Sequence, residues 1–377
     1  MIYLDFAATT PISETALEAY VKYAKSHFGN SKSLHDFGGD AEQLLNHCRE
    51  ILAKLINGDH EGIYFTSGGS ESNILAIQSL LNGTEQAKKH IVTSTIEHSS
   101  IHNFLKNLQN NGYTVSFVRP DKHGRITINS LEKMIRNDTA LVSIQHGNSE
   151  IGIIQNIEEI GSFLKEKAIL FHSDCVQTFA KVPIDVEKMK IDALSFSSHK
   201  IYGPKGVGAV YIDPSVYWVP IIEGTTHEKG FRPGTINTPG IASFTIAAKS
   251  LHDEMKALQS QFTKLRKLFI ELIAKEQLPI EVLGTPQSEQ LPAIIGCIFK
   301  GIEGQYIMLE CNRKGIAIST GSACQAGMQE PSRTVISLDR TKEEAAQYIR
   351  VSLGIGTTEE DILQLVEAFS QIREEYH

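Results

Sequence analysis

The sequence predicts an α/β fold: a large unit on a mostly parallel sheet with helices on both faces, then a smaller C-terminal α/β unit. Three observations carry this. Between residues 63 and 212, short apolar runs alternate with longer amphipathic segments, and strand-helix alternation of this kind packs as a parallel sheet. Residues 241–277 then run without Gly or Pro and keep a helical period, so one or two long helices leave the first unit. Finally, 377 residues are more than one simple core usually serves.

In chain order, Ala41, Leu44, Leu45, Cys48, Ile51, Leu52 and Leu55 recur at three and four and mark one face of a helix. The strand runs follow as IYF from Ile63, IVT from Ile91, TVSFV from Thr114 and ALVSI from Ala140. AILFHSD from Ala168, DALSFSS from Asp192 and VGAVYI from Val207 complete the set. Beyond the long helical stretch, PIEVLG, AIIGCIF and IAIS read as strands, alternating with helices at 304–312 and 359–372. The chain therefore divides into 14–250, the large unit, and 251–377. The first 13 residues are too short to form a unit and are grouped with the second.

Lys and Arg number 36 against 44 Asp and Glu, a formal net charge of -8, with no long basic block. That gives no footprint for direct nucleic-acid binding. The opening MIYLDFAATT is interrupted by Asp5 and has no basic leader, so no secretory signal is expected, and no apolar run approaches membrane-spanning length. Five cysteines lie scattered without CxxC spacing, which suits a reduced, cytoplasmic protein.

Ligands of open α/β sheets sit beyond the carboxyl ends of the strands, so the residues just after each run are the candidates. Ser-Ser-His-Lys at 197–200 precedes a Gly/Pro turn. Most loop lysines are simply solvated; the alternative for Lys200 is an amine held to meet a cofactor aldehyde. Asp174 closes AILFHSD, either as a helix cap or as the carboxylate that keeps a pyridine nitrogen protonated. Gln177 is a surface amide or a donor to a ring hydroxyl. In TSGGSES, small residues open a helix whose free N–H groups suit a phosphate, with Gly68, Gly69 and Ser70 as the cradle. The nucleotide-loop signature GK[ST] is missing there. His98 either faces solvent at a helix start, or stacks on a ring or moves a proton. Asn148 is a turn asparagine or a second ring-hydroxyl partner. Five strand ends together supply phosphate donors, a stacking histidine, hydroxyl donors, an acid partner and an amine. Those are the groups a pyridoxal phosphate site needs.

The segments YLDFAATT, FTSGGSESN, EHSSI, NSEIG, FHSDCVQ, SSHKIYGPKGVGAVY, FRPGTINTPGIA, STGSAC and IRVSLG follow one another in this order. In them, from Tyr3 to about Glu367, the chain resembles the cysteine desulfurases, and SSHKIYGPKG with GSAC in one chain is specific to that family. The resemblance implies the fold of pyridoxal-phosphate-dependent transferases of the aspartate aminotransferase type, working as a homodimer. It implies removal of sulfur from L-cysteine, leaving L-alanine and a persulfide on Cys324. By position, Lys200 resembles the cofactor-bearing lysine, His98 the ring-stacking histidine and Asp174 the partner of the ring nitrogen. Asn148 and Gln177 match the ring-hydroxyl donors. Gly69, Ser70, Ser197 and His199 match the phosphate binders, with Thr235 reaching over from the second subunit. Arg350 matches the clamp for the substrate carboxylate, helped by Asn30; a planar guanidinium binds a carboxylate with two parallel bonds. The departures are Phe6 for a frequent Asn, Ser70 for Thr, Ser149 for a second Asn, Cys175 for Ala and Pro233 for Ser. Phe6 is the one expected to bear on substrate or acceptor access.

Among the cysteines, Cys48 sits on a helix stripe, Cys297 in a core-strand pattern and Cys311 on a helix, all reading as small buried hydrophobes. Cys175 adjoins Asp174 at a rigid strand end. Cys324 is flanked by small and polar residues and suits a mobile, accessible loop, of the kind seen in the long-loop subgroup. The expected partners are L-cysteine and a sulfur acceptor: an iron–sulfur scaffold, a dedicated iron–sulfur enzyme or a tRNA-thiolation protein. Three rivals stand beside this reading. One is another lyase of the same cofactor and fold. Another is a metal-dependent hydrolase using His98, His102, His146 and His172, which lacks HExxH and leaves Lys200 and Arg350 idle. The last is a silent scaffold.

Overall fold

The structure is a computed structural model, and it describes residues 1–284, 289–321 and 331–376. A short strand, β1 (Ile2–Tyr3), leads through a segment with a turn at residues 6–8 to α1 (Glu14–Ser26) and α2 (Asp36–Lys54). Ser13 caps α1 by accepting the Ala16 N–H, a hydroxyl meeting one of the orphan donors of a first turn.

Seven strands form the main sheet: β2 (Ile63–Thr66), β3 (His90–Ser94), β4 (Thr114–Val118), β5 (Thr139–Ser143), β6 (Leu170–Asp174), β7 (Ala193–Ser197) and β8 (Gly208–Ile212). They lie in the order β2-β8-β7-β6-β5-β3-β4. β8 is antiparallel to β2 and β7, and the remaining pairs are parallel. Such strands are covered on both faces and so read as nearly continuous apolar runs. Helices α3 (Gly69–Asn82), α4 (Ser99–Asn110), α5 (Ile128–Glu132) and α6 (Ile157–Glu166) provide the crossovers. All seven apolar runs of the sequence are strands of this one sheet.

The long periodic stretch is a single helix, α7 (Thr238–Lys275), of 38 residues, roughly 57 Å at the usual rise. Asn237 caps it by accepting from Gly240, and Pro239 occupies its first turn, where a missing N–H costs nothing. Ile241, Phe244, Ala248, Leu251 and Leu258 belong to the core of the large sheet, whereas Leu265, Phe269 and Ile273 belong to a second core. One rigid rod thus passes from one core to the other.

The second core is built on β9 (Ile280–Val282), β10 (Ile294–Phe299) and, after β11 (Ile316–Ala317), β12 (Tyr348–Ser352). β9 and β12 flank β10, antiparallel to it. Helices α8 (Gly304–Arg313), α9 (Arg333–Ser337), α10 (Lys342–Ala346) and α11 (Glu359–Tyr376) accompany them. α8 and α11 end slightly later than their apolar patterns suggested. β1 pairs in parallel with β11, and Leu4 is fully buried in the second core. The N-terminus is therefore fixed on the smaller core, and its next residues cross to the main sheet, where the Thr10 N–H donates to the His199 carbonyl at 2.9 Å. Among the described residues no helix is long and apolar enough to cross a membrane.

Candidate active site

The carboxyl ends of β2, β3, β5, β6 and β7 open on a cavity of about 470 Å³, the size of a small-molecule site. Lys200, Asp174, His98 and Gln177 line it, as the strand-end reading expects.

Lys200 lies in the turn after β7. Its Nζ donates to the carbonyls of Ala7 at 2.6 Å and Ala8 at 2.7 Å. The N-terminal crossing segment is thus a strap across the lysine, and it also engages His199, whose Nδ1 meets the Thr9 hydroxyl at 3.1 Å. Burial, and next the charge of Lys200, push the His199 imidazole down to about 4. It is neutral at pH 7 and meets an anion as a hydrogen-bond partner rather than as a cation.

Asp174 ends β6 and is 6% exposed. Its Oδ1 accepts from the Val176 N–H at 2.9 Å and its Oδ2 from Asn73 Nδ2 at 2.8 Å. Gln177 donates Nε2 to the Ala7 carbonyl at 3.0 Å, and its Oε1 is buried without a hydrogen-bond partner. What Gln177 leaves unmatched is an acceptor, where the resemblance implied a donor. A ring hydroxyl can donate to it.

α3 begins at once after β2, with Gly68 as its N-cap and no side-chain cap, so its first N–H groups are open to an anion. Glycine is required here by space. A Cβ on Gly69 would stand 2.8 Å from Val176 Cγ2, and one on Gly208 would stand 2.7 Å from Gly68 Cα. Gly69, Ser70 and Ser197 line the cavity. The Ser197 hydroxyl is buried and has no partner, an arrangement rarely left standing without a ligand or water to meet it.

Arg350, on β12, is 2% exposed. Its NH2 group pairs with Asp5 Oδ1 at 2.6 Å and its NH1 group donates to the Ser149 carbonyl at 3.0 Å. Nε is buried without a partner. The second core thus supplies a guanidinium to a cavity made by the first.

Three expected residues lie elsewhere. Asn148 is buried behind the wall made by Gly147 and Ser149. Its Oδ1 accepts the Glu150 and Ile151 N–H groups at 2.8 Å each, and its Nδ2 faces the Ile96 carbonyl at 3.3 Å. Asn30 is exposed, and its Oδ1 accepts the Lys32 N–H of its own turn. Thr235 is exposed on the loop before α7; within one chain neither Asn30 nor Thr235 lines the cavity.

Cys324 lies outside the described residues. Ser319, shortly before it, exchanges backbone hydrogen bonds with Arg350 at 3.1 and 2.7 Å. Ser332, after it, donates to Glu150 Oε2 at 2.6 Å. The other four cysteines are buried. Burial pushes the Cys48 thiol up to about 11 and those of Cys175, Cys297 and Cys311 up to about 12, so none offers a thiolate at neutral pH.

The histidines of the hydrolase alternative do not gather. His172 is buried between the hydroxyls of Ser143 and Ser195, at 2.9 and 3.0 Å, and His102 packs on Phe117. The described residues contain no group of three or more His, Cys, Asp or Glu able to hold a metal ion. Phe6 packs on Gly354 and lines a small adjoining apolar cavity of about 50 Å³ that also reaches Lys200.

Sequence reasoning missed Asp5, the Ala7 and Ala8 carbonyls, and Asn73. In the sequence YLDFAATT carries only the resemblance, because nothing local says that a strand-end aspartate and two alanines face residues almost 200 or more positions away. Asn73 carried a usable signal. It stands one turn after Gly69, on the side of α3 that its apolar neighbours Ala76 and Ile77 bury.

Residues 2–365 match the family described as aminotransferase class-V. A putative cysteine desulfurase NifS of Bacillus subtilis is 53% identical over 376 residues, 100% of this chain and 95% of that protein. A solved NifS-like protein superposes with a TM-score of 0.92 at 30% identity, covering 99% of each chain. SspA, solved in complex with cysteine, gives 0.82 at 33% identity, covering 94% of this chain and 99% of that one. The chain belongs to the class-V aminotransferase family, within the group whose members are named cysteine desulfurases.

Proposed function

We propose that this chain is a pyridoxal-phosphate-dependent cysteine desulfurase that moves sulfur from L-cysteine onto Cys324. The observation that carries the reading is one cavity holding an uncapped helix start with an orphaned, buried Ser197 hydroxyl, the Asp174 carboxylate, the Lys200 amine and the Arg350 guanidinium. These residues fit the cofactor: N–H groups of α3 and Ser197 for its phosphate, Asp174 for its ring nitrogen, Gln177 Oε1 for its hydroxyl. Bound there, pyridoxal phosphate supplies an aldehyde that takes up an amine and a protonated ring that withdraws electrons.

The chain's own residues do the rest. Arg350 takes the cysteine carboxylate; being already held by Asp5 and Ser149, its plane is set before the substrate arrives. Lys200 Nζ, steered by the Ala7 and Ala8 carbonyls, moves the proton at the substrate Cα. His98 lines the same cavity and serves the remaining proton traffic. The Cys324 thiolate attacks the substrate sulfur: a sulfur–sulfur bond forms, the carbon–sulfur bond breaks, and the carbon takes a proton to leave as alanine. Four buried thiols held near 11 or 12 support Cys324 as the nucleophile. The persulfide passes to an acceptor protein for iron–sulfur cluster assembly or another thiolation pathway. The working unit is a homodimer in which the partner's loop before α7 completes the phosphate site through Thr235. The test is alanine release from L-cysteine by the cofactor-loaded chain, lost in Cys324→Ser. A wild-type chain that takes up the cofactor and releases no alanine contradicts the reading.

A further inference from the structure

His98 and Asp174 stand at the ends of different strands, yet one buried residue bonds towards both. Asn73, 1% exposed, donates from Nδ2 to Asp174 Oδ2 at 2.8 Å and to the Ser100 hydroxyl at 3.1 Å. Ser100 Oγ lies 2.8 Å from His98 Nδ1, and the Ser100 backbone N–H donates to the same Nδ1 at 3.2 Å. The direction of this chain follows from the atoms. An amide NH2 has two hydrogens and accepts nothing. Turning the Asn73 amide over would set its Oδ1 against the Asp174 carboxylate, acceptor against acceptor, so Nδ2 faces Asp174 even though Oδ1 is left buried without a partner. Ser100 Oγ then accepts from Asn73 and turns its own hydrogen to His98. Nδ1, which receives a backbone N–H that cannot reverse, is the unprotonated nitrogen, and the neutral ring carries its proton on Nε2.

We propose that Asn73 is a positioning residue that fixes the Asp174 carboxylate plane and, by turning the Ser100 hydroxyl hydrogen towards His98 Nδ1, reinforces the His98 tautomer that the Ser100 backbone N–H sets. It makes His98 present an Nε2–H to the cavity, so that the neutral ring meets a ligand there as a hydrogen-bond donor. The inference rests on the proposed function for its use in the reaction, but its geometry does not need the cofactor.

The experiment compares wild type, Ser100→Ala and Asn73→Leu by nitrogen NMR of isotope-labelled histidine without added cofactor, then by absorbance against pH after loading pyridoxal phosphate. Wild type shows His98 protonated on Nε2. Ser100→Ala shifts the Nδ1 resonance, because one of its two donors is gone, and leaves the absorbance titration as in wild type. Asn73→Leu shifts both and weakens cofactor binding on the order of tenfold, the loss of one donor to a buried carboxylate. A wild-type His98 protonated on Nδ1 overturns the proposal. So does an Asn73→Leu protein with unchanged histidine and absorbance signals, or, if that variant does not fold, a Ser100→Ala protein with an unmoved Nδ1 resonance. The histidine measurement is independent of the cofactor reading, which fails separately if wild type takes up no pyridoxal phosphate.

Discussion

Arg350 meets one carboxylate before any substrate arrives. Asp5 holds NH2 at 2.6 Å and the Ser149 carbonyl holds NH1 at 3.0 Å, so the guanidinium is planted at a fixed angle and the substrate must share it. A lysine keeps the charge but not the fork. Arg350→Lys is therefore expected to raise KM for cysteine by a factor corresponding to about 1–3 kcal/mol; steady-state kinetics with an unmoved KM rejects the clamp. Lys200 has its own test. Borohydride treatment of the loaded wild type fixes the cofactor to Lys200, and peptide mapping finds no fixed cofactor in Lys200→Ala; a label on another lysine contradicts the assignment. At this scale much was legible in the sequence, because strand ends of an α/β sheet carry chemistry. Lys200, Asp174, His98 and Gln177 stand out on that ground, and all four line one cavity. Asp5 and Asn73 escaped it, since their importance lies in partners 345 and 101 positions away, and no local pattern encodes a partner. Asn148 shows the reverse: its position was legible, but not that its carboxamide oxygen closes its own turn.

The elements that matter most are α3 and α7. α3 needs a bare first turn, which is why glycine stands where β2 hands over to it. Gly69→Ala places a methyl 2.8 Å from Val176 Cγ2, inside contact distance, so α3 or Val176 must shift at the proposed phosphate site. The expected result is weaker uptake of pyridoxal phosphate by equilibrium titration with the melting curve of the cofactor-free protein little changed; equal affinity would mean the phosphate lies elsewhere. α7 was legible as helix from its period, but not as one helix rather than two, because periodicity does not report which core each turn faces. Its second half anchors the smaller core through Phe269, which is fully buried and packs edge-on against Phe369. Phe269→Ala should cost about 3–5 kcal/mol, seen as a lower melting temperature; a melting temperature within error of wild type would show that α7 is not the tie between the two cores.

For the whole molecule, acid should act through buried imidazoles. Burial pushes His172 down to about 3 and His146 down to about 4 from 6.5. The unfolded chain binds those protons first, so stability present above pH 6.5 is lost as the pH falls towards these values, by about 1.4 kcal/mol per pH unit for each group. Melting temperature should fall between pH 7 and 5, less steeply in His172→Gln, and a flat profile would contradict it. Assembly is the second property of the whole. If Thr235 serves the partner's phosphate, mixing Lys200→Ala with Thr235→Ala subunits restores one of the two sites in each mixed dimer; mixtures no more active than either parent reject the shared site. The proposed function stands or falls on the transfer of sulfur from cysteine to Cys324. The most direct measurement is mass spectrometry of peptides from the cofactor-loaded chain after one brief exposure to L-cysteine, with alanine measured alongside. One added sulfur on the Cys324 peptide, matched by alanine and absent from Cys324→Ser, is the expected result. Added sulfur on the Cys175 peptide, or alanine released at the wild-type rate by Cys324→Ser, would contradict it.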